Sequence, residues 1–566
     1  MPYNPISIEN DISDDTSDDI SNNDTIHKGD SIYNISSMLK ELTVEGKKYN
    51  PIFNFFDINY KSNVSEYKEQ TSYNNYTIIT TDNKQVSCFI KSIPLVDYIK
   101  YLIGKYKKFN INVLPSKSTI YKNIYEEYIN SIHNYSYVDN FFYILSNNIN
   151  INGFKHGLNV YDSYICFKND CEINIVDDFE YLCDSNYFND NINKLFHFKD
   201  SNIHSLLSNF KKPPIILTDE YIDITFDVIE DEYPETSTKS YDISSDEPID
   251  IIHESKKTLE INNTVEDESE DESSDESDES SESENETDDE SEDESKDGSN
   301  STSEYSDSED SMVEELILVI NQIPTQNIVM EKCIDTLDSL FELNNIKVEE
   351  LTSALFQTII MLYVYQQVYQ FTHNDLHTNN IMYIETKEEF LYYKVKGQCY
   401  KVPTYGKLYK MIDFGRSIYT YKGTRLCSDS FSSNGTAHGQ YNCEPFLNKD
   451  KPIIEPNYSF DLCRLSCSLF DFIIEDLDDI DKFRKVPVYD MIISWIFDDS
   501  GNNILYKKNG DERYPDFKLY KMISKNVTKH TPENQFSRDC FKEYIVSELP
   551  ADGVDIDELI KTKGHL

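Results

Sequence analysis

Three oxygen-bearing side chains stand at spacings that suit phosphoryl transfer. Asp375 and Asn380 lie in the stretch Phe371 to Met382, and Asp413 follows in Ile412-Asp413-Phe414-Gly415. Such transfer needs one carboxylate near the attacking hydroxyl, and an Asn and an Asp to hold Mg²⁺ against nucleotide phosphates. Asp375 suits the first task; Asn380 and Asp413 suit the second. Order matters as much as residue type. The loop His373-x-Asp375-Leu376-x-x-x-Asn380 comes after a helical run, and Asp413 follows 33 positions after Asn380. A three-residue Asp-Phe-Gly string is common by chance, but the loop and the string in this order form a specific signal.

The elements that must position these groups are readable on both sides. Val348 to Gln370 is expected to be a long helix that delivers the chain to the loop. Leu351, Leu355, Ile359, Leu362 and Gln366 mark one face of it, and Ile360 and Tyr363 widen that face. Met382 to Ile384, Phe390 to Val395, Tyr400 to Val402 and Leu408 to Ile412 read as strands, an elaborated β-hairpin between Asn380 and Asp413. Ile418 to Gln440 is rich in Ser, Thr and Gly and is expected to be a mobile segment. Helical stretches follow at Ser459 to Phe470, Val488 to Phe497, Lys518 to Ile523 and Arg538 to Leu549.

Upstream, Tyr76 to Lys91 reads as a hairpin turning at Thr81 to Lys84, with Lys91 on the returning strand. In Tyr121 to Ile132, the spacing of Ile124, Tyr125, Tyr128, Ile129 and Ile132 predicts an amphipathic helix. Asn140 to Leu145 reads as the next strand, and Pro213 to Thr218 as another. Ile317 to Ile320 and Asn327 to Cys333 read as two further strands before Asp335 to Leu340.

Composition bounds the rest. The chain has 566 residues and a formal net charge of -51. Glu266 to Asp310 holds 24 Asp or Glu and one Lys, so 23 of those net charges fall in 45 residues. Such a tract repels itself and cannot bury a core, so an extended, solvated insert is expected. Many of its serines have an acid three residues on, as Ser273 has Glu276, the pattern that acid-directed phosphorylation uses. No basic nucleic-acid footprint is present. Eleven cysteines without Cys-x-x-Cys pairs indicate neither a zinc ribbon nor a redox pair. There is no apolar signal core at the N-terminus and no run of about 18 apolar residues, so an intracellular, cytoplasmic chain without a membrane span is expected.

Together these motifs resemble the eukaryotic-type protein kinase superfamily, and more narrowly the divergent serine/threonine kinases predicted in large DNA viruses of amoebae. The resemblance covers about Phe89 to Asn140 and Ile317 to Phe470. It implies an α+β, two-lobed protein-kinase-like fold, with a small β-rich lobe and a larger, mainly helical one. It also implies ATP with Mg²⁺, and transfer of the γ-phosphate to a Ser or Thr hydroxyl of a protein substrate. Val86-Ser-Cys-Phe-Ile-Lys91 is similar to the strand that carries the phosphate-binding lysine. Lys91 would pair with Glu127, or else Glu126, on the regulatory helix at Tyr121 to Ile132. Met330, Glu331 and Cys333 would lie at the adenine-binding hinge. Asp461 would hold the catalytic-loop backbone, and His373 would pack that loop against Phe414. Glu444 is the possible match to the end of the activation segment.

The resulting organisation is an acidic N-terminus (1–30), a first part of the small lobe (31–145), and an insertion of unknown structure (146–229). A Ser/Asp/Glu-rich insert (230–311), the end of the small lobe with the hinge (312–335) and the large lobe (336–566) follow. Four positions depart from the family pattern. No glycine lies between Gly46 and Gly104, where a Gly-rich phosphate loop would stand. Asn374 replaces the arginine that usually reads an activation-segment phosphate. His377 stands where a lysine usually contacts the γ-phosphate, and would assist there. The hairpin before Asp413 is long. Two other readings compete: a small-molecule phosphotransferase of the choline-kinase or aminoglycoside-phosphotransferase type, and a pseudokinase scaffold whose acidic insert binds basic proteins. A virion location is compatible with the resemblance.

Overall fold

Antiparallel pairing organises the N-terminal region of the computed structural model, which describes residues 49–117, 120–150, 153–176, 178–199, 316–474 and 476–562. Strands β1 (Val64–Ser72), β2 (Asn75–Thr80) and β3 (Gln85–Pro94) form a meander. Helices α1 (Ile124–Asn130) and α2 (Tyr135–Asn150) follow, then β4 (Val160–Asn174), β5 (Phe196–Phe198) and β6 (Ile317–Glu331). The sheet order is β1-β2-β3-β6-β4, and β5 also pairs with β6. Side chains alternate across β3 with the two-residue period of a strand. Cys88 and Ile90 join a small apolar cluster with Ile78, Tyr164, Cys166 and Val329. Phe89, Lys91 and Ile93 take the other face, where Phe89 and Ile93 meet the main core and Lys91 meets α2.

Several expectations are corrected here. Asn140 to Leu145 is not a strand; it lies inside α2, a helix with twelve buried residues named along its sixteen. A short continuous apolar run does not distinguish a buried strand from a buried helix, and here aromatic neighbours on several sides decide for helix. Phe142 alone meets Tyr365, Tyr369, Phe371, Phe414 and Tyr419. The segment 146–229 is not wholly an insertion. Its β4 pairs with β6 from Val160↔Met330 to Asn174↔Ile317, so it forms one edge of the sheet. Ile317 to Ile320 and Asn327 to Glu331 belong to one strand, β6, which runs through Pro324 and ends before Cys333. The proline is tolerated because β3 pairs only as far as Thr325, so no ladder donor is needed on that side. The helix expected over Tyr121 to Ile132 shortens to Ile124–Asn130, started by the Asn123 side chain, which accepts from the Glu126 N–H. The Pro213 to Thr218 strand, the acidic tract and the N-terminal 30 residues lie outside the described residues.

The C-terminal region is mainly helical. Strand β7 (Asp335–Thr336) leads into a short helix, Leu337–Glu342, and then α3 (Val348–Tyr369). Seventeen residues of α3 are buried, so it is covered nearly all round rather than on one stripe. Part of the cover comes from the elaborated hairpin: β8 (Ile381–Glu385), β9 (Phe390–Val395), β10 (Gln398–Pro403) and β11 (Lys407–Met411). β8 lies between β7 and β11, while β9 and β10 make a separate small sheet with strands Ile545–Val546 and Val554–Asp555 near the C-terminus. Where a helix was expected over Arg538 to Leu549, a tight 3₁₀ stretch, Asp539–Tyr544, precedes the first of those strands. Polar ties fix α3 to the hairpin: the Tyr409 N–H donates to Gln357 Oε1 at 3.0 Å, and Ser353 Oγ donates to the Pro403 carbonyl. Strands β12 (Ile418–Tyr421) and β13 (Thr424–Cys427) open the segment after Asp413, and helices α4 (Phe460–Ile473), α5 (Pro487–Trp495) and α6 (Phe517–Asn526) complete the region. Among the described residues no helix is long and apolar enough to cross a membrane.

Candidate active site

The loop after α3 is held by its backbone. Gln370 ends the helix in the left-handed conformation (φ 52°), and Thr372 then exchanges two backbone hydrogen bonds with Ile418, at 2.9 and 3.0 Å. The buried Asp461 carboxylate accepts from the His373 N–H at 2.9 Å and the Asn374 N–H at 2.8 Å. Burial pushes Asp461 up to about 7, although both N–H groups favour its ionised form. His373 Nε2 bonds the Ile412 carbonyl at 2.9 Å, and its ring lies 5.7 Å from that of Phe414. Asn374, at φ 65°, bridges two strands of chain: its Nδ2 donates to the Arg416 carbonyl at 2.9 Å, and its Oδ1 accepts from Tyr441 Oη at 2.8 Å. A neutral amide and a phenol therefore tie the loop to the segment after Asp413.

Two further side chains follow on the loop, Asp375 and the buried Asn380. Asp375 is half-buried; its Oδ1 accepts from Tyr520 Oη at 2.7 Å, and its Oδ2 lies 3.5 Å from Arg416 Nη1. Asn380 Nδ2 donates to the Asp375 carbonyl at 2.9 Å and meets His377 Nε2 at 3.1 Å. Because that carbonyl can only accept, the amide nitrogen must face it, which leaves Asn380 Oδ1 for a cation. Burial lowers His377, so the neutral ring accepts from Asn380. This places His377 as a brace for Asn380 rather than as a lysine-like cation.

The N-terminal region supplies the opposing charges. Lys91 Nζ lies 2.8 Å from Asp139 Oδ2 and 3.0 Å from Asp413 Oδ1. Asp139, on α2, uses its second oxygen to accept from the Phe414 N–H at 2.5 Å. Tyr143, one helical turn on, accepts the Asp413 N–H at 2.9 Å through its hydroxyl. Thus α2 fixes both Lys91 and the backbone of Asp413 and Phe414. Burial pulls the Lys91 ammonium down, but Asp139 and Asp413 outweigh it and hold it well above the usual lysine range. Asp413 is lowered, chiefly by Lys91. Asp139 is raised to about 6, by burial first and despite Lys91.

The expected partner of Lys91 is therefore corrected. Glu127 is exposed on α1, and Glu126 Oε2 accepts from the Lys122 N–H at 3.0 Å, across the start of its own helix. Asp139 takes the role, and its signal in the sequence was an acid inside the apolar run Tyr137 to Leu145. Met330 is buried at the end of β6, opposite Phe89. The Glu331 N–H donates to the Asn159 carbonyl at 2.8 Å, so it is already spent, and its carboxylate lies 3.6 Å from Lys410 Nζ. Cys333 is half-buried, and burial pushes its thiol up to about 12. The β1–β2 turn, Tyr73-Asn74, stands where glycines were missed. Lys168 Nζ bonds Asn74 Oδ1 and Ser92 Oγ, each at 2.9 Å, and lies 4.8 Å from the Tyr73 ring centroid. Ser92 alternates with Lys91 on β3, so the turn is tied to the sheet face away from Lys91.

Farther along, Asp429 joins the segment after Asp413 to the start of α2. Its Oδ1 accepts from the Tyr135 N–H at 3.1 Å, and its own N–H donates to the His133 carbonyl at 2.7 Å. Burial pushes its carboxyl up to about 6. Asp139, Arg416, Asp429, Tyr441 and Tyr520 were not singled out from sequence, because no fixed spacing links them to the loop.

Asn380 and Asp413 both present oxygen, the donor Mg²⁺ prefers, and Asp413 is exposed enough to reach it. Among the described residues no group of three or more His, Cys, Asp or Glu is arranged to hold a metal. Two protein ligands with the remainder from water and phosphate is the usual composition of a Mg²⁺–nucleotide site, so the pair fits that ion. No family model matches the chain, and no curated protein compared with it is significantly similar.

Proposed function

We propose that the chain is an ATP- and Mg²⁺-dependent protein kinase that phosphorylates Ser or Thr hydroxyls. The observation that carries this reading is the bridge Lys91–Asp139–Asp413, met by a loop that presents Asp375 and Asn380. The sheet order, with the lysine on its third strand and the carboxylate on α2 before the fourth, supports a two-lobed kinase-like fold. Lys91, fixed by Asp139, is suited to the α- and β-phosphates. Asn380 and Asp413 are suited to Mg²⁺, which would neutralise charge on the phosphates. Asp375 orients the acceptor hydroxyl and takes its proton as that oxygen bonds to the γ-phosphorus. The bridging oxygen leaves with its electron pair on the diphosphate. Asp461 and Asn374 keep the loop in place, so little reorganisation is needed at the moment of transfer.

The test is transfer of labelled γ-phosphate from Mg-ATP by the purified chain, with casein, histone and choline offered separately. Wild type should label protein on Ser or Thr, and Asp375→Ala and Asp413→Asn should both abolish it. Label on choline alone would replace this reading with a small-molecule phosphotransferase. No transfer and no nucleotide-induced thermal shift would leave a scaffold.

A further inference from the structure

The acceptor side of Asp375 carries a charge pattern unlike the rest of this acidic chain. Tyr520, on α6, lies between two guanidinium groups: Arg464 Cζ is 5.2 Å and Arg416 Cζ 5.7 Å from its ring centroid. Arg464 Nε donates to Tyr520 Oη at 3.0 Å, and Tyr520 Oη in turn donates to Asp375. Burial, with Asp375 nearby, raises the phenol, so it stays a donor. Each guanidinium has five N–H groups, and Arg464 and Arg416 commit few of them here. The chain contains only six arginines, yet one pairs with this carboxylate and a second reaches it through the Tyr520 hydroxyl. Helix α6 extends the pattern. Its sequence holds Lys518, Lys521 and Lys525 and no acid, and among the described residues none of the three is in an ion pair. Lys521 stands beside Gly439 of the segment after Asp413, its Cε 3.3 Å from where a Cβ on that glycine would lie.

From this we infer that the acceptor is an acidic peptide: a Ser or Thr flanked by carboxylates. The inference rests on the kinase reading and names its substrate class. The phenol holds the Asp375 carboxylate in one orientation but uses only one of its lone-pair sites, so the acceptor hydroxyl has room on the same group. Arg464, Arg416 and the α6 lysines then meet the acids beside it. A row of cations along a helix suits a run of acids better than one isolated anion. Charge-assisted hydrogen bonds to Arg supply selectivity, and lysine-rich stretches of a basic acceptor are repelled.

The test uses the full chain, Mg-ATP and three free peptides: residues 273–284 (Ser-Ser-Asp-Glu-Ser-Asp-Glu-Ser-Ser-Glu-Ser-Glu), a copy with Asn and Gln for Asp and Glu, and a copy with Lys for both. Peptide binding is followed in parallel by fluorescence anisotropy without nucleotide. The acidic peptide should be used with a kcat/KM at least about tenfold above the neutral one, the size of one charge-assisted hydrogen bond. The basic copy should be the poorest. Lys521→Glu with Lys525→Glu, and separately Arg464→Gln, should raise KM for the acidic peptide and weaken its binding. Equal or better use of the neutral or basic copy overturns the inference and leaves the kinase reading standing. Acidic-peptide binding that these variants weaken, without any transfer, overturns the kinase reading and leaves an acidic-peptide site. Neither binding nor transfer overturns both.

Discussion

The two sides of the site have opposite charge balances. On one side a single ammonium, Lys91, faces two carboxylates, Asp139 and Asp413. On the other a single carboxylate, Asp375, faces two guanidiniums, Arg416 and Arg464, with the Tyr520 phenol between. The first arrangement has a negative excess that a divalent cation relieves; the second has a positive excess that an anionic partner relieves. Both sit beside the same well-anchored loop. The difference teaches that one scaffold holds two local charge balances of opposite sign, and that the net charge of the chain predicts neither.

Breaking the acceptor side should have the largest effect. Asp375→Ala removes the group that takes the proton, and transfer should fall about 10³-fold, within the range of general-base losses. A steady-state assay against the acidic peptide measures it, and an unchanged far-ultraviolet spectrum shows that the fold persists. Breaking the phosphate side should be felt in stability as well. Asp139 is almost fully buried and Lys91 about one-quarter exposed, so Asp139→Ala takes the buried partner from Lys91, leaves it Asp413 alone, orphans the Phe414 N–H, and should cost about 3 kcal/mol. Glu127→Ala should stay within about 0.5 kcal/mol of wild type, as for an exposed surface residue. Urea titration of the two variants separates the partners directly; equal losses would refute the Lys91–Asp139 assignment.

A finer cut sharpens the comparison. Tyr520→Phe keeps the ring beside the guanidiniums and deletes the hydroxyl that donates to Asp375 and accepts from Arg464. It should lower kcat about tenfold, the worth of a hydrogen bond to a charged group, with little change in KM for ATP. A rise in kcat would mean that the phenol blocks Asp375 instead of orienting it. The smallest effect concerns Asp429, the clamp between α2 and the segment after Asp413. Its folded pKa of about 6 lies above the ordinary 3.8. Its contribution to stability is therefore fully present below the ordinary value and is lost as pH rises through about 6. Asp429→Asn should flatten the fall in Tm across that window, measured by calorimetry at a series of pH values. An unchanged slope would remove Asp429 as its source.

The comparison also explains what was legible beforehand. The loop from His373 to Asn380 and the Asp413 string are close in sequence, so spacing alone singled them out. Lys91 stood out because Val86 to Lys91, on the returning strand of a hairpin, resembles the kinase strand that carries the phosphate-binding lysine. Its partner did not, because Asp139 lies inside an apolar run whose length fits strand or helix, and only the aromatic packing around Phe142 resolves that choice. Strand β4 stayed hidden for a different reason: its partner β6 lies beyond a long acidic tract, with Val160 facing Met330. The acceptor side was least visible of all. Arg416, Arg464 and Tyr520 come from three separate segments and meet only in the fold.

The most direct measurement of this division of labour is calorimetric ATP binding across a Mg²⁺ titration, for wild type, Asp413→Asn and Asp375→Ala. If Asp413 belongs to the nucleotide side and Asp375 to the acceptor side, Mg²⁺ should tighten ATP binding in wild type and in Asp375→Ala, and should not do so in Asp413→Asn. An Asp413→Asn variant that responds to Mg²⁺ like wild type, or an Asp375→Ala variant that loses the response, would contradict the account.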